Sequence, residues 1–475
     1  MVYFPKKFTL TFLFLFLFES ISSAVDEGNI VLSMTSNFEL KHSKKLINNK
    51  NYYTIQLSVG TPARNFNVQV DTSTATSWIP SENCKDCVNA QNKYDHEASK
   101  TSSPTNKEIE IEDEDGNVKG IELSDNVQLG KYKLKQFGFV EVTDLEDDFK
   151  DHDEGKLGLG FKSNIDDDDF SFMGRLKKRN LIKRKIFTIN EINNKKGLLF
   201  VGDLPGKQYY SFCNITTNTE ELDDMYKESW ICELTHFGVF NINKGIFNKI
   251  KYYEEVKNTK LVNFDSAYDY IAVPISEKEN IDRVLEKANL QCITEEKKEK
   301  ANVKKEDPLK NKIHDEEISI VCETTPSELS SKAIALTFLL QGFAYSIPLD
   351  SLFTQRESGK MEMLIKYIDD EKAIWTFGYP FMNQFLMIFN YEDENVGIKK
   401  LKKTALPIIN VKKDWEAWYV KQQEGGVSSY KTWLIVLAVI LVIIAAFCIV
   451  RAIKRKSLNS NGPAFNTGYD PNKIY

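Results

Sequence analysis

Short apolar-rich runs, punctuated by Asn, Asp and Gly, recur along most of this chain. Examples are YYTIQLSVG (52–60), FNVQV (66–70), KQFGFVEV (135–142), GLLFVGD (197–203) and FLMIFNY (385–391). Val, Ile, Phe and Tyr in runs of this length, bounded by turn residues, predict β-strands. Helical periodicity is rarer. FMGRLKKRNLI (172–182) and EKENIDRVLEKANL (277–290) are the best candidates. The pattern predicts a mostly β protein.

Two other apolar runs have a different meaning. FTLTFLFLFLF (8–18) follows Lys6 and Lys7 and precedes Ser22-Ser23-Ala24, the layout of a signal peptide over residues 1–24. A longer run at 432–450 is free of charge and is followed at once by Arg451, Lys454, Arg455 and Lys456. It predicts a transmembrane helix, with the tail 451–475 on the cytoplasmic side. The expected product is a single-pass type I membrane protein of the secretory or endomembrane system or the cell surface. Residues 411–431 would be a juxtamembrane linker, and 25–50 an N-terminal segment or short propeptide.

What lies between is roughly four hundred residues, too many for one ordinary core, so two lobes are expected. We place them at 51–205 and 206–410. The formal charge of −6 is spread without a basic face, which gives no footing for nucleic acid. Charged stretches interrupt the strands. DLEDDFKDHDE (144–154) and NIDDDD (164–169) lack the spacing of a calcium loop and are expected to be solvated. Residues 294–317 have little apolar content and are expected to be a disordered loop.

Seven cysteines in an oxidising compartment imply disulfides. Cys448 falls in the apolar run at 432–450. For the other six, sequential pairing is the simplest arrangement: Cys84–Cys87, Cys213–Cys232 and Cys292–Cys322. Zinc at Cys84 and Cys87 is a weaker alternative, because no second ligand pair has metal-site spacing. No metal or other cofactor is expected. Asn214-Ile215-Thr216 is an N-glycosylation sequon.

A weak internal repeat links the halves. Val68-Gln69-Val70-Asp71-Thr72 and Val262-Asn263-Phe264-Asp265-Ser266 share an outline, and each half later carries an apolar–Gly pair, Leu157-Gly158 and Phe377-Gly378. A duplicated lobe with one acid apiece explains both. Two carboxylates brought a few ångströms apart share a proton and titrate as a pair. One can then take a proton from water while the other donates to a carbonyl oxygen, which hydrolyses an amide without a metal or a covalent intermediate.

Over roughly residues 30–400 the chain resembles a pepsin-like aspartic protease, by landmarks in order. YYTIQLSVGTP (52–62) is similar to the family's opening strand and turn, and DTSTATSWIPS (71–81) to its Asp-Thr-Gly-Ser block, with Trp78 at the Trp position. CKDC (84–87) resembles its small disulfide loop, and GIELSDNV (120–127) the strand leaving its flap. EGKLGLGF (154–161), DSAYDYIAVP (265–274) and 375–398 resemble its later segments, and Cys292 and Cys322 fall at its second-lobe disulfide. The resemblance implies a bilobed fold with pseudo-two-fold lobes and an interlobe cleft that takes an extended peptide or protein substrate as a monomer. It implies Asp71 and Asp265 as the catalytic dyad, Thr72 and Ser266 as hydroxyls bracing the two Asp loops, and Thr74 as a hydroxyl holding one carboxylate oxygen.

The departures from the family pattern cluster at this site. Ser73 and Ala267 stand where the family has Gly. Tyr268 replaces a Thr or Ser. Asp113 falls where a flap Tyr is expected. Lys156 and Thr376 replace apolar residues, and a lysine there must reach solvent or find a partner. Two readings follow. One is a membrane-anchored aspartic endopeptidase. The other is a weak or inactive relative that binds a peptide or protein in the cleft.

Overall fold

The computed structural model describes residues 30–36, 53–88, 90–113, 116–145, 155–161, 170–193, 196–202, 211–216, 226–241, 250–256, 260–296, 318–356, 358–368, 374–401, 406 and 408–410. The segments expected to be signal peptide, linker, membrane helix and cytoplasmic tail lie outside these residues, as do the acidic stretch 164–169 and most of 294–317. Among the described residues no helix is long and apolar enough to cross a membrane.

The first half of the chain contributes β1 (Ile30–Ser36), β2 (Tyr53–Val59), β3 (Arg64–Asp71), β4 (Trp78–Pro80), β5 (Ser103–Asp113), β6 (Gly116–Leu129), β7 (Tyr132–Leu145), β8 (Lys156–Gly158), helix α1 (Phe172–Lys178), β9 (Ile186–Asn193) and β10 (Lys196–Val201). The second contributes β11 (Ser211–Asn214), β12 (Ile231–Asn241), β13 (Ile250–Glu255), β14 (Leu261–Phe264), β15 (Ile271–Pro274), α2 (Lys278–Lys287), β16 (Cys292–Glu296), β17 (Ile318–Cys322), α3 (Pro326–Ser331), β18 (Ile334–Leu340), β19 (Phe343–Pro348), β20 (Phe353–Gln355), β21 (Met361–Ile368), β22 (Trp375–Phe377), α4 (Tyr379–Met382), β23 (Phe385–Asn390), β24 (Asn395–Lys400) and β25 (Ile409–Asn410).

These strands form two sheets. A 13-stranded sheet runs β11-β24-β23-β9-β10-β1-β2-β3-β8-β4-β7-β6-β5, so three strands from the second half are joined to the first through β23 and β9. A 12-stranded sheet belongs wholly to the second half and carries β14, β22 and β15 side by side. The shared sheet gives the two halves one continuous backbone ladder. The two halves also meet in a cluster of rings. Phe187 stacks on Phe389 at 4.6 Å between centroids, and Trp230 packs edge-on to Phe389 and Tyr391. Each such ring, fully buried, contributes about 1.5–3 kcal/mol.

The first strand begins earlier than the pattern predicts. Residues 30–36, expected to precede the first strand, form β1 and lie between β10 and β2. Ile30, Leu32 and Met34 are buried while Val31 and Ser33 are exposed, a period-two pattern that fits one face of the strand to the core. The three disulfides Cys84–Cys87, Cys213–Cys232 and Cys292–Cys322 are formed. The last of these joins paired residues of β16 and β17 at the base of the charged loop.

Candidate active site

Asp71 ends β3 and Asp265 follows β14, and the backbone around each is built the same way. β3 pairs in parallel with β8, bringing Asp71 level with Gly158. β14 pairs in parallel with β22, bringing Phe264 level with Phe377, one residue before Gly378. A glycine is required at both places because another chain segment passes over it. A Cβ on Gly158 would lie 2.6 Å from the Ala75 carbonyl carbon, and one on Gly378 only 2.4 Å from the carbonyl oxygens of Tyr268 and Tyr270. The apolar–Gly pairs of the repeat are therefore where each Asp loop folds back onto its own half of the chain.

Hydroxyls then lock the two loops to each other. Thr72 donates its Oγ1 hydrogen to the carbonyl of Phe264 at 2.8 Å, and Ser266 donates its Oγ hydrogen to the carbonyl of Val70 at 2.7 Å. Each reaches the residue just before the opposite acid. The Ser266 N–H also donates to Thr72 Oγ1 at 3.0 Å. All of these groups are buried, where hydrogen bonds are least exposed to competition from water.

The carboxylates themselves differ. On Asp265, Oδ1 accepts the Ala267 N–H at 2.7 Å. On Asp71, Oδ1 accepts both the N–H and the hydroxyl of Ser73, at 2.7 and 2.6 Å. The added Cβ at each family glycine is accommodated, and both N–H groups still reach their carboxylates. The hydroxyl expected from Thr74 comes instead from Ser73. Thr74 Oγ1 accepts the Thr76 N–H at 3.3 Å and so caps its own turn.

The other oxygen of Asp71 meets a cation. Lys156 Nζ lies 2.9 Å from Asp71 Oδ2, with side-chain exposures of 1% and 0%. Of the two fates open to this lysine, the structure selects a partner rather than solvent. Burial pushes the Asp71 carboxyl up, but the Lys156 charge and the Ser73 hydrogen bonds outweigh it and hold the carboxyl below its usual value.

Trp78 is buried at the start of β4. Asp113 is the last residue of β5, level with Gly116 across the tip of the β5–β6 hairpin. Two further supports come from the second half and carry no sequence motif. Glu228 Oε2 accepts the Ala75 N–H at 2.8 Å, and the Tyr391 hydroxyl lies 2.9 Å from the carbonyls of Leu159 and Gly160. Their only advance signal was polarity beside an apolar run. The sequon residue Asn214 is exposed at the end of β11, an edge strand of the 13-stranded sheet. Among the described residues no cluster of His, Cys, Asp or Glu is arranged to hold a metal.

Two duplicated Asp loops, braced reciprocally by hydroxyls, sit within a longer match. The family model for eukaryotic aspartyl proteases covers residues 52–401. The chain belongs to that family. Among curated proteins it is similar to pregnancy-associated glycoprotein 1 of Sus scrofa, 30% identical over 159 residues, which is 32% of this chain and 40% of that one. It is 31% identical to plasmepsin IV of Plasmodium falciparum over 201 residues, 39% of this chain and 42% of that one. Rhizopuspepsin of Rhizopus chinensis is 34% identical over 116 residues, 24% of this chain and 29% of that one. In each case the match spans less than half the relative's length. At this site Ser73 and Ala267 give their N–H groups to the two acids, and Lys156 pairs with Asp71.

Proposed function

We propose that this family member is an aspartic endopeptidase, tethered to a membrane through residues 432–450 with its catalytic domain on the lumenal or extracellular side. The observation that carries the reading is the reciprocal brace, in which Thr72 bonds the carbonyl before Asp265 and Ser266 the carbonyl before Asp71. A pair of acids held this way can activate water. Ionised Asp71 takes a proton from a water whose oxygen attacks the scissile carbonyl carbon. Protonated Asp265 gives its proton to the carbonyl oxygen. Collapse of the tetrahedral intermediate breaks the C–N bond. The leaving amine takes the proton from Asp71, and a hydroxyl of the intermediate returns one to Asp265. The three disulfides and the exposed sequon at Asn214 support an oxidising, lumenal setting.

One observation favours a second reading, a domain that binds peptides without cutting them. Lys156 engages the carboxylate that would have to accept the proton of water. A single experiment separates the two. The full chain, purified in detergent, is incubated with a broad peptide library from pH 3 to 7, beside Asp71→Ala and Asp265→Ala and with a statine-type transition-state mimic. Cleavage that both substitutions abolish and the mimic blocks establishes the endopeptidase. Peptide retention without cleavage at any pH establishes the binder.

A further inference from the structure

Lys156 is buried against Asp71 in the middle of a sheet. Its strand β8 lies between β3 and β4, with Lys156 level with Gln69 on one side and Trp78 on the other. The matching place in the second lobe is Thr376. It lies on β22 between β14 and β15, level with Asn263 and Ala272. Both positions are buried, but only the first carries a charge. A lysine is almost never found fully buried unless paired, and one of the two acids lies within ion-pair distance of this one.

We propose that Lys156 is a built-in counter-ion that makes Asp71 the ionised member of the acid pair, leaves Asp265 to hold the shared proton, and draws the pair's working range toward acidic pH. This rests on the endopeptidase reading for its catalytic consequence, though the charge assignment does not. Without a cation, losing the shared proton would leave two negative charges on neighbouring carboxylates, and the proton is held tightly. With Lys156 beside Asp71, the same loss leaves a net charge of one rather than two. The proton therefore departs at lower pH, and the singly protonated state is reached and lost earlier on the acid side. The depressed titration of Asp71 agrees with this direction.

Among the described residues, several other charged or acid-binding groups near these strands have partners of their own. Asp71 Oδ1 is taken up by Ser73, and Glu228 Oε2 by the Ala75 N–H. Glu141, on β7 beside β4, bonds Ser81 at 2.7 Å and His96 at 2.6 Å. From the second lobe, Asp265 is the acid on the braced loop, and β3 and β4 present the uncharged Gln69 and Trp78. Lys156 is therefore a positioning residue, acting through Asp71 and not on substrate.

The test uses the full chain in detergent as wild type, Lys156→Met, Asp71→Asn and the double variant. Lys156→Gln serves as the uncharged replacement should the methionine variant not fold. Heat-unfolding midpoints from pH 3 to 7 need no activity. The expected result is strong non-additivity at pH 7, with the double variant more stable than the two single losses predict, beginning to shrink at the acid end of the range, where the unfolded chain's carboxyl takes up a proton before folded Asp71 does. Additivity at every pH overturns the proposal. Peptide cleavage is measured on the same proteins. Both limbs of the Lys156→Met profile should move up by about one pH unit or more, about a tenfold gain in relative rate at the alkaline limb. Peptides cut with superimposed limbs overturn the counter-ion and leave the endopeptidase standing. Non-additivity without cleavage by any variant supports the counter-ion and removes the endopeptidase.

Discussion

The two Asp loops share a backbone and differ in charge. β3 with β8 and β4, and β14 with β22 and β15, make the same combination of one parallel and one antiparallel neighbour. Each loop passes over a glycine and each hydroxyl reaches the opposite loop. Yet Asp71 meets a buried lysine and a serine hydroxyl, while the matching positions around Asp265 hold Thr376 and Ala267. The difference teaches that backbone hydrogen bonds and close approaches keep the frame symmetrical, whereas the chemistry of each acid depends on a few side chains that can change without disturbing that frame.

The comparison can be broken at several levels. The largest effect should come from the acids. Asp71→Ala and Asp265→Ala should each lower kcat/KM for peptide cleavage by about a thousandfold or more, because each removes a proton-transfer group that the other cannot replace. Equal losses would show the two acids acting as a unit. A large residual rate in either would remove that acid from the mechanism.

Next are the glycines. Gly158→Ala and Gly378→Ala each force a Cβ against backbone and should cost at least about 1–3 kcal/mol, read from urea midpoints. Similar costs would confirm equivalent frames, and a tolerated alanine at one would show that loop to be the softer. The braces follow. Thr72→Val and Ser266→Ala each leave an opposite carbonyl without its donor and should cost about 1–3 kcal/mol. A double-mutant cycle between them should be non-additive, since Ser266 N–H and Thr72 Oγ1 are themselves bonded.

The smallest effect sharpens the charge difference. Ser73→Gly removes a hydroxyl that holds Asp71 ionised, so both limbs of the cleavage profile should move slightly to higher pH. Ala267→Gly keeps the N–H on Asp265 and should leave the profile where it was. Stability carries the same sign. Asp71 is depressed in the folded state, so its contribution is present above the usual carboxylate range and is lost as pH falls through its lowered value. A wild-type heat-unfolding midpoint that rises on acidification through this range would contradict the ion pair.

Much of the frame was legible in the chain. The two hydroxyl-following acids and the apolar–Gly pairs are local patterns, and they fall where the duplicated loops need them. The helix expected at 277–290 appears as α2, and each of the five strand runs overlaps a strand. The alternation Ile30, Leu32, Met34 was also present, but seven residues between polar segments are a weak signal until β10 and β2 bind both their edges. The exchange between Ser73 and Thr74 was not readable. Both are small hydroxyls, and only the turn after Asp71 decides which one faces the carboxylate.

Local composition was enough to determine a β-rich chain with one acid in each of two similar loops, because strand propensity, turn residues and short motifs act over a few neighbours. What Lys156 does could be decided only by the tertiary structure. It is 85 positions from Asp71 in the chain, and it is brought beside that acid, out of contact with solvent, by the parallel pairing of β3 with β8. Burial turns a residue that would be solvated on a surface into one that needs a counter-charge, and the fold supplies that charge from the acid that local sequence had already marked for chemistry.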